Sequence, residues 1–270
     1  MNSYALPTRG RADSLRPCFL GVHGAPRNGG ELMNGGGTRF EARELACIRG
    51  ERPVFRALSF ELLPGGALIL RGPNGSGKSS LLRILAGFLK PAGGTVAWNG
   101  EDMREAPEAH RARTHYVGHL EAVKPTLTVA EHLDFWAAAK GFAKPTNNIL
   151  VALDLEDLAD VPGRFLSAGQ KRRLTLTRLL ATPAELWLLD EPSITLDDRS
   201  AARLEKMLAD HRAGGGMAIV ATHAEIALPD AETIDMAGHG IAANVLVGDA
   251  AQATGDPDYD LTDEPDYGQW

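Results

Sequence analysis

The chain has 270 residues, with 28 Lys and Arg against 35 Asp and Glu for a formal net charge of −7 at pH 7, and is 44% hydrophobic. That length allows one domain with a sizeable core plus tails. The acidic balance argues against a dedicated nucleic-acid binder, and no apolar run approaches the roughly 20 residues that span a bilayer, so a membrane role has to run through a partner. The two cysteines, Cys18 and Cys47, have neither metal nor redox spacing and point to a reducing compartment without a disulfide framework.

Residues 1–38 stand apart from the rest. They hold Pro7, Pro17 and Pro26, several glycines, and Arg9, Arg11, Arg16 and Arg27 against Asp13 and Glu31. There is no apolar core of a secretory signal. The segment reads as a disordered leader, with Met33 as an alternative start and an acid-poor, arginine-containing targeting sequence as a further reading. The folded domain is expected over 39–250. Glu44–Ile48 and Val54–Leu62 read as strands joined by a turn at Gly50-Glu51-Arg52-Pro53.

Pro64-Gly65-Gly66 then turns the chain into an apolar run, Ala67–Leu70, with the character of a buried strand. Directly behind it stands Gly72-Pro73-Asn74-Gly75-Ser76-Gly77-Lys78-Ser79, the pattern G-x-x-x-x-G-K-S. Ser80–Leu89 continues with Leu81, Leu82, Leu85 and Leu89 at helical spacing. Strand, glycine loop and helix form the setting in which this motif cradles phosphate. The glycines let successive N–H groups turn inward, and the helix N-terminus adds partial positive charge. Lys78 is expected to reach the β- and γ-phosphates, the Ser79 hydroxyl to ligand Mg²⁺, and Ser80 to complete the nucleotide-binding set.

Gly94–Gly100 reads as a strand ending in an Asn-Gly turn. The texture then becomes helical, with Val129–Trp136 capped by Thr128 and a second candidate over Ile149–Ala159. A helical subdomain over about 120–180 is therefore expected between two halves of a nucleotide domain. Leu166-Ser167-Ala168-Gly169-Gln170 leads into another helix, and its cations Lys171, Arg172 and Arg173 can form a solvated face, the reading taken for Lys171. Leu186–Leu189 is a buried strand that delivers Asp190 and Glu191. A helix over about Arg199–Ala209 follows, and then the strand Met217–Ala221, which delivers Thr222 and His223. Alternating strands and helices imply a largely parallel α/β core. Asp190 suits the Mg²⁺ shell, and Glu191, at the strand's mouth, can polarise an attacking water. The segment 251–270 carries Asp256, Asp258, Asp260, Asp263, Glu264 and Asp266 without Lys or Arg and reads as an acidic, disordered tail.

Taken together, Gly72–Ser79, Leu166–Gln170, Leu186–Glu191, Ser193-Ile194-Thr195-Leu196-Asp197 and His223 resemble the ATP-binding cassette family over about 40–248. The resemblance implies a phosphate-loop NTPase fold: a RecA-like parallel core, an antiparallel β subdomain and an inserted helical subdomain. It implies two ATP sandwiched in a head-to-tail dimer, with Ser167, Ala168, Gly169 and Gln170 facing the γ-phosphate held by the other subunit. Asp197 would couple the two sites, and His223 would contact the γ-phosphate and hold Glu191 and the water. Two positions depart from the family pattern. His119 takes the place of the usual Gln, a poor direct ligand for Mg²⁺, which prefers oxygen. Arg49 falls where an aromatic normally stacks on adenine, and a guanidinium can stack on a base instead.

Within the family, Arg49–Phe55, Leu58-Ser59-Phe60, Tyr116-Val117-Gly118-His119, Lys124 and Leu127-Thr128 resemble the ATP-binding subunit of the cytochrome c maturation haem exporter. That likeness implies a peripheral subunit on the cytoplasmic face of a bacterial inner membrane. Its partners would be an integral permease and haem-handling maturation proteins, with no nucleic acid. The alternatives are the motor of another exporter for drugs, lipids or polysaccharide, and a soluble cassette ATPase. The single cassette, without a long coiled-coil insertion, disfavours the last.

Overall fold

The computed structural model describes residues 38–142 and 148–239. The leader, apart from Thr38, and the acidic tail lie outside the described residues. Two strands, β1 (Phe40–Arg49) and β2 (Arg52–Leu62), form an antiparallel hairpin turning at Gly50-Glu51. With β4 (Gly93–Trp98) and β5 (Glu101–Asp102) they make a four-stranded sheet ordered β2-β1-β4-β5. The second sheet is parallel. Its strands are β3 (Ala67–Arg71), β6 (Thr114–Val117), β7 (Leu186–Asp190), β8 (Met217–Ala221) and β9 (Glu232–Asp235), ordered β6-β7-β8-β3-β9.

Strand periodicity divides the core. In β3, Leu68 and Leu70 face one side while Ala67 and Ile69 face the other. In β7, Leu186 and Leu188 alternate in the same way with Trp187 and Leu189. Such period-2 strands, apolar on both faces, are what a parallel sheet covered on both sides requires. One cluster packs the parallel sheet and helix α1 (Lys78–Leu85) against Phe40, Phe55 and Trp98 of the antiparallel sheet. The other packs it against α3 (Val129–Ala139), α5 (Ala168–Ala181) and α6 (Asp198–Ala213). Each fully buried leucine contributes about 1.5–3 kcal/mol. Two short helices, α2 (Pro107–Arg113) and α4 (Asn148–Ala152), and a single turn, α7 (Met236–His239), complete the α-helices among the described residues.

Sequence expectation and structure differ at several points. Ile149–Ala159 is not one helix: α4 stops at Ala152, Asp154 takes φ 59°, and a 3₁₀ turn follows at Glu156–Leu158. Asp154 is held there by Arg173, Arg199 and Arg203, at 3.1, 3.5 and 3.0 Å. The edge strand β9 has a single partly buried apolar residue, Ile234, and so carries no period. Thr128 caps α3 as expected, but within a full capping box in which Glu131 accepts from the Thr128 N–H at 2.7 Å. Among the described residues no helix is long and apolar enough to cross a membrane.

Candidate functional site

The loop between β3 and α1 is shaped by contacts that only glycine permits. Gly77 has φ 99°, and a Cβ there would lie 2.6 Å from Val54 Cγ1 and 2.9 Å from Phe55 Cδ1. The antiparallel sheet therefore presses directly on the loop. Gly77 offers α1 no side-chain cap, and the first N–H to bond back to the loop is that of Leu81, onto the Gly77 carbonyl at 2.8 Å. The Ser76 N–H is spent on the Pro73 carbonyl at 3.2 Å, while among the described groups the N–H groups of Lys78, Ser79 and Ser80 are left for a ligand, with the helix dipole behind them. The Ser76 hydroxyl is buried and has no partner among the described groups. Lys78 is buried, its ammonium donating to the carbonyls of Gly72 (2.7 Å) and Pro73 (3.1 Å). Burial pushes the Cys47 thiol pKa up, and its contact with Ser80 ties β1 to the base of the loop.

The ends of β7 and β8 meet this loop. Parallel pairing sets Asp190 beside Ala221, so both strands stop at one level. Asp190 is buried, and Glu191 follows at φ 48° with its N–H on the Ala221 carbonyl at 2.8 Å. A positive φ at a non-glycine residue is backbone strain of the kind that gathers at functional sites. The Glu191 carboxylate accepts the His223 N–H at 3.2 Å and stands 3.7 Å from His223 Nε2. His223 Nε2 is also 3.0 Å from Lys78 Nζ and 2.9 Å from Asn74 Oδ1. One ring nitrogen cannot serve both: unprotonated it accepts from Lys78, protonated it donates to Asn74.

Two arginines fix the backbone around these groups. Arg71 donates to the carbonyls of Thr222 (3.1 Å) and Ala224 (2.7 Å), the residues on either side of His223. Arg172 has no exposed surface and donates to the carbonyls of Asp190, Glu191, Pro192 and Gly118. The sequence reading passed over both. Burial lowers the Arg172 pKa, opposed by the charges of Glu121, Asp190 and Glu191.

One cavity of about 810 Å³ gathers most of the expected residues: Arg49, Asn74, Gly75, Gly77, Lys78, Ser79, Ser80, His119, Asp190, Glu191 and His223. Val54, Ser193, Ile194 and Ala224 also line it. Gly72, Pro73 and Ser76 shape the loop from behind. Among the described residues no three His, Cys, Asp or Glu side chains are arranged to hold a metal ion by themselves. The oxygen donors available are the Ser79 hydroxyl and the Asp190 carboxylate, a set that suits Mg²⁺ shared with a phosphate.

The family model for ABC transporters matches residues 55–194. The chain is 56% identical over 204 residues to the cytochrome c biogenesis ATP-binding export protein CcmA of Paramagnetospirillum magneticum, covering 74% of this chain and 94% of that protein. It is 54% identical over 196 residues to the protein of the same name from Rhodospirillum rubrum, covering 72% and 84%. This chain belongs to the ABC transporter family. Its fold agrees: an ABC transporter ATP-binding protein from Pyrococcus furiosus superposes with a TM-score of 0.66 at 24% identity, over 75% of this chain and all of that one. An ATP-binding cassette solved in its ADP conformation gives 0.62 at 23% identity, over 76% and 90%. As an ABC ATPase the chain binds and hydrolyses ATP.

In this ABC protein Ser167–Gln170 does not line the cavity. Ser167 caps α5, its Oγ accepting the Gln170 N–H at 3.2 Å while Gln170 Oε1 accepts the Ser167 N–H at 2.8 Å. The Gln170 carbonyl oxygen is thus used within the helix. The Ser167 hydroxyl proton stays free to donate, and Ser167 and Ala168 are exposed. Gly169 packs against the Thr195 carbonyl, 3.0 Å from where a Cβ would stand.

Proposed function

We propose that the chain is the ATP-hydrolysing subunit of a membrane complex for cytochrome c biogenesis that moves or releases haem. The supporting observation is the cavity of about 810 Å³ in which Lys78 and Ser79 of the loop face Asp190, Glu191 and His223. The substrate class follows the names carried by relatives at 54 and 56% identity. The loop N–H groups and Lys78 hold the β- and γ-phosphates. Ser79 and Asp190 hold Mg²⁺ through oxygen, which when bound neutralises phosphate charge. Glu191 takes up the proton of the attacking water, and His223, steadied by Arg71, orients Glu191 and donates to the γ-phosphate. Arg49 and Val54 flank the base, and His119 reaches phosphate or metal through water.

Ser167 and Ala168 are exposed and all of Ser167–Gln170 lies outside its own cavity, which favours a head-to-tail pair in which the segment completes the partner's site. The small residues at the α5 N-terminus leave room for a γ-phosphate. The remaining partners are an integral permease and haem-handling proteins, with the chain peripheral on the cytoplasmic face of the inner membrane. The alternative of a motor for another exporter keeps every residue role.

The test has two arms. ATP hydrolysis by the purified chain is measured with Mg²⁺ and with the metal chelated; activity that survives chelation overturns the metal assignment. Glu191→Gln protein is then recovered from membranes with ATP and its companions are identified by mass spectrometry. A permease together with cytochrome c maturation proteins is expected. An unrelated permease overturns the haem assignment, and soluble companions alone overturn the transport role.

A further inference from the structure

Among the described residues Arg172 heads the fully buried side chains in size. It lies in the second turn of α5, four residues after Ala168 and so on the same helix face as that exposed position. Its Nε donates to the Pro192 carbonyl at 3.1 Å, and Nη1 to Gly118 at 2.9 Å. Nη2 donates to Asp190 at 2.9 Å and to Glu191 at 2.7 Å. Four of the five guanidinium N–H groups are thereby spent on main-chain carbonyls. A buried cation without a directly bonded carboxylate costs several kcal/mol relative to water. Four carbonyl dipoles and the nearby acids Glu121, Asp190 and Glu191 offset that cost.

The acceptors all adjoin the nucleotide cavity. Asp190 and Glu191 line it, Pro192 precedes Ser193 in it, and Gly118 precedes His119 in it. Because each bond ends on backbone, no acceptor side chain can swing to absorb a displacement. Hydrogen bonds of this type hold over only about 2.7–3.2 Å. A shift of α5 by an ångström therefore either breaks the fork or carries the ends of β6 and β7 with it. Glu191, at φ 48°, has a strained backbone that such a shift alters directly.

We propose that Arg172 is a positioning residue that couples the two nucleotide sites of a pair, tying the exposed N-terminus of α5 to Glu191. This rests on the head-to-tail reading above. Capture of the partner's γ-phosphate by Ser167–Gln170 moves α5, and the guanidinium fork transfers that movement to the carboxylate of its own site. A lysine keeps the charge but presents one ammonium where the planar fork reached four carbonyls. It therefore separates coupling from simple charge.

The experiment compares the full chain with Arg172→Lys and Arg172→Gln. Affinity for a fluorescent ATP analogue, steady-state hydrolysis and amide hydrogen exchange are measured on each. Both variants should bind nucleotide within about threefold of the parent, while kcat falls about tenfold or more. In the parent, a non-hydrolysable ATP analogue should protect the amides of 167–171 and those of Glu191 and Ser193 with one midpoint. In the variants, 167–171 should gain protection without Glu191 and Ser193. Unchanged kcat, or a fall matched by the loss of folded protein or of affinity, overturns the proposal. If neither variant folds, the parent titration decides, and separate midpoints overturn it. A parent that neither hydrolyses ATP nor pairs with it overturns the head-to-tail reading itself.

Discussion

Lys78 Nζ and His223 Nε2 stand 3.0 Å apart, although one belongs to the helix after β3 and the other to the turn after β8. The ammonium is shared between this nitrogen and the Gly72 and Pro73 carbonyls, and Asn74 Oδ1 waits 2.9 Å from the same nitrogen. A phosphate that draws Lys78 away frees His223 Nε2 for the tautomer that donates. Lys78→Ala removes the charge that begins this exchange. Hydrolysis should fall about 100-fold or more. A phosphate-release assay that finds more than about a tenth of parent activity contradicts the assignment.

Glu191→Gln keeps the shape of the side chain and the acceptor for the His223 N–H, but not the basic oxygen. kcat should fall by about 10² to 10⁴ while nucleotide affinity holds. With ATP and Mg²⁺ the variant should run as a dimer in size exclusion, because hydrolysis no longer opens the pair. A monomer with parental turnover would refute both the role of Glu191 and the head-to-tail arrangement.

The loop and the two strand-end acids were legible because their chemistry is local. Glycine spacing, Lys-Ser and an apolar run ending in Asp-Glu need no tertiary information. Arg172 was hidden within Lys171-Arg172-Arg173, three cations that can form a solvated helix face, and only Lys171 was assigned to one. Helical period held the clue: positions 172, 176 and 179 lie on one face, and Leu176 and Leu179 are buried. Arg71 carried no such signal, since its acceptors at Thr222 and Ala224 are about 150 residues away in sequence. The break at Asp154 was equally unreadable, because three arginines from α5 and α6 hold it.

Two loop glycines should respond differently to alanine. At Gly77 the new methyl meets Val54 and Phe55, and the φ of 99° is unfavourable as well. Gly77→Ala should destabilise the fold by about 1–3 kcal/mol and displace the loop from the antiparallel sheet. At Gly75, with φ 82°, nothing lies within 4 Å. Gly75→Ala should cost only about 1–2 kcal/mol of backbone strain. Denaturant midpoints and ATP-analogue affinity separate the two. Equal loss of affinity in both would show that backbone strain, and not the sheet contact, governs the loop.

Acid should destabilise the protein well above the carboxylate range. Burial pushes His115 down to about 4, aided by Lys140 and Arg178 and opposed by its bond to the Thr182 carbonyl. Burial likewise pushes His211, stacked on Trp187 at 3.8 Å between ring centroids, down to about 4. The unfolded chain takes up protons near the ordinary value of 6.5, while the folded chain refuses them until about pH 4. Stability is therefore full above about 6.5, is lost as pH falls from there to about 4, and levels off below. The slope is at most about 1.4 kcal/mol per pH unit for each group, and less for the partly exposed His211. His110 and His132, also lowered by burial, act in the same direction. Denaturant unfolding at pH 7.5, 6, 5 and 4.5 measures this, and His115→Asn should flatten the curve. A midpoint that stays level from pH 7 to 5 would mean that these imidazoles accept protons in the fold.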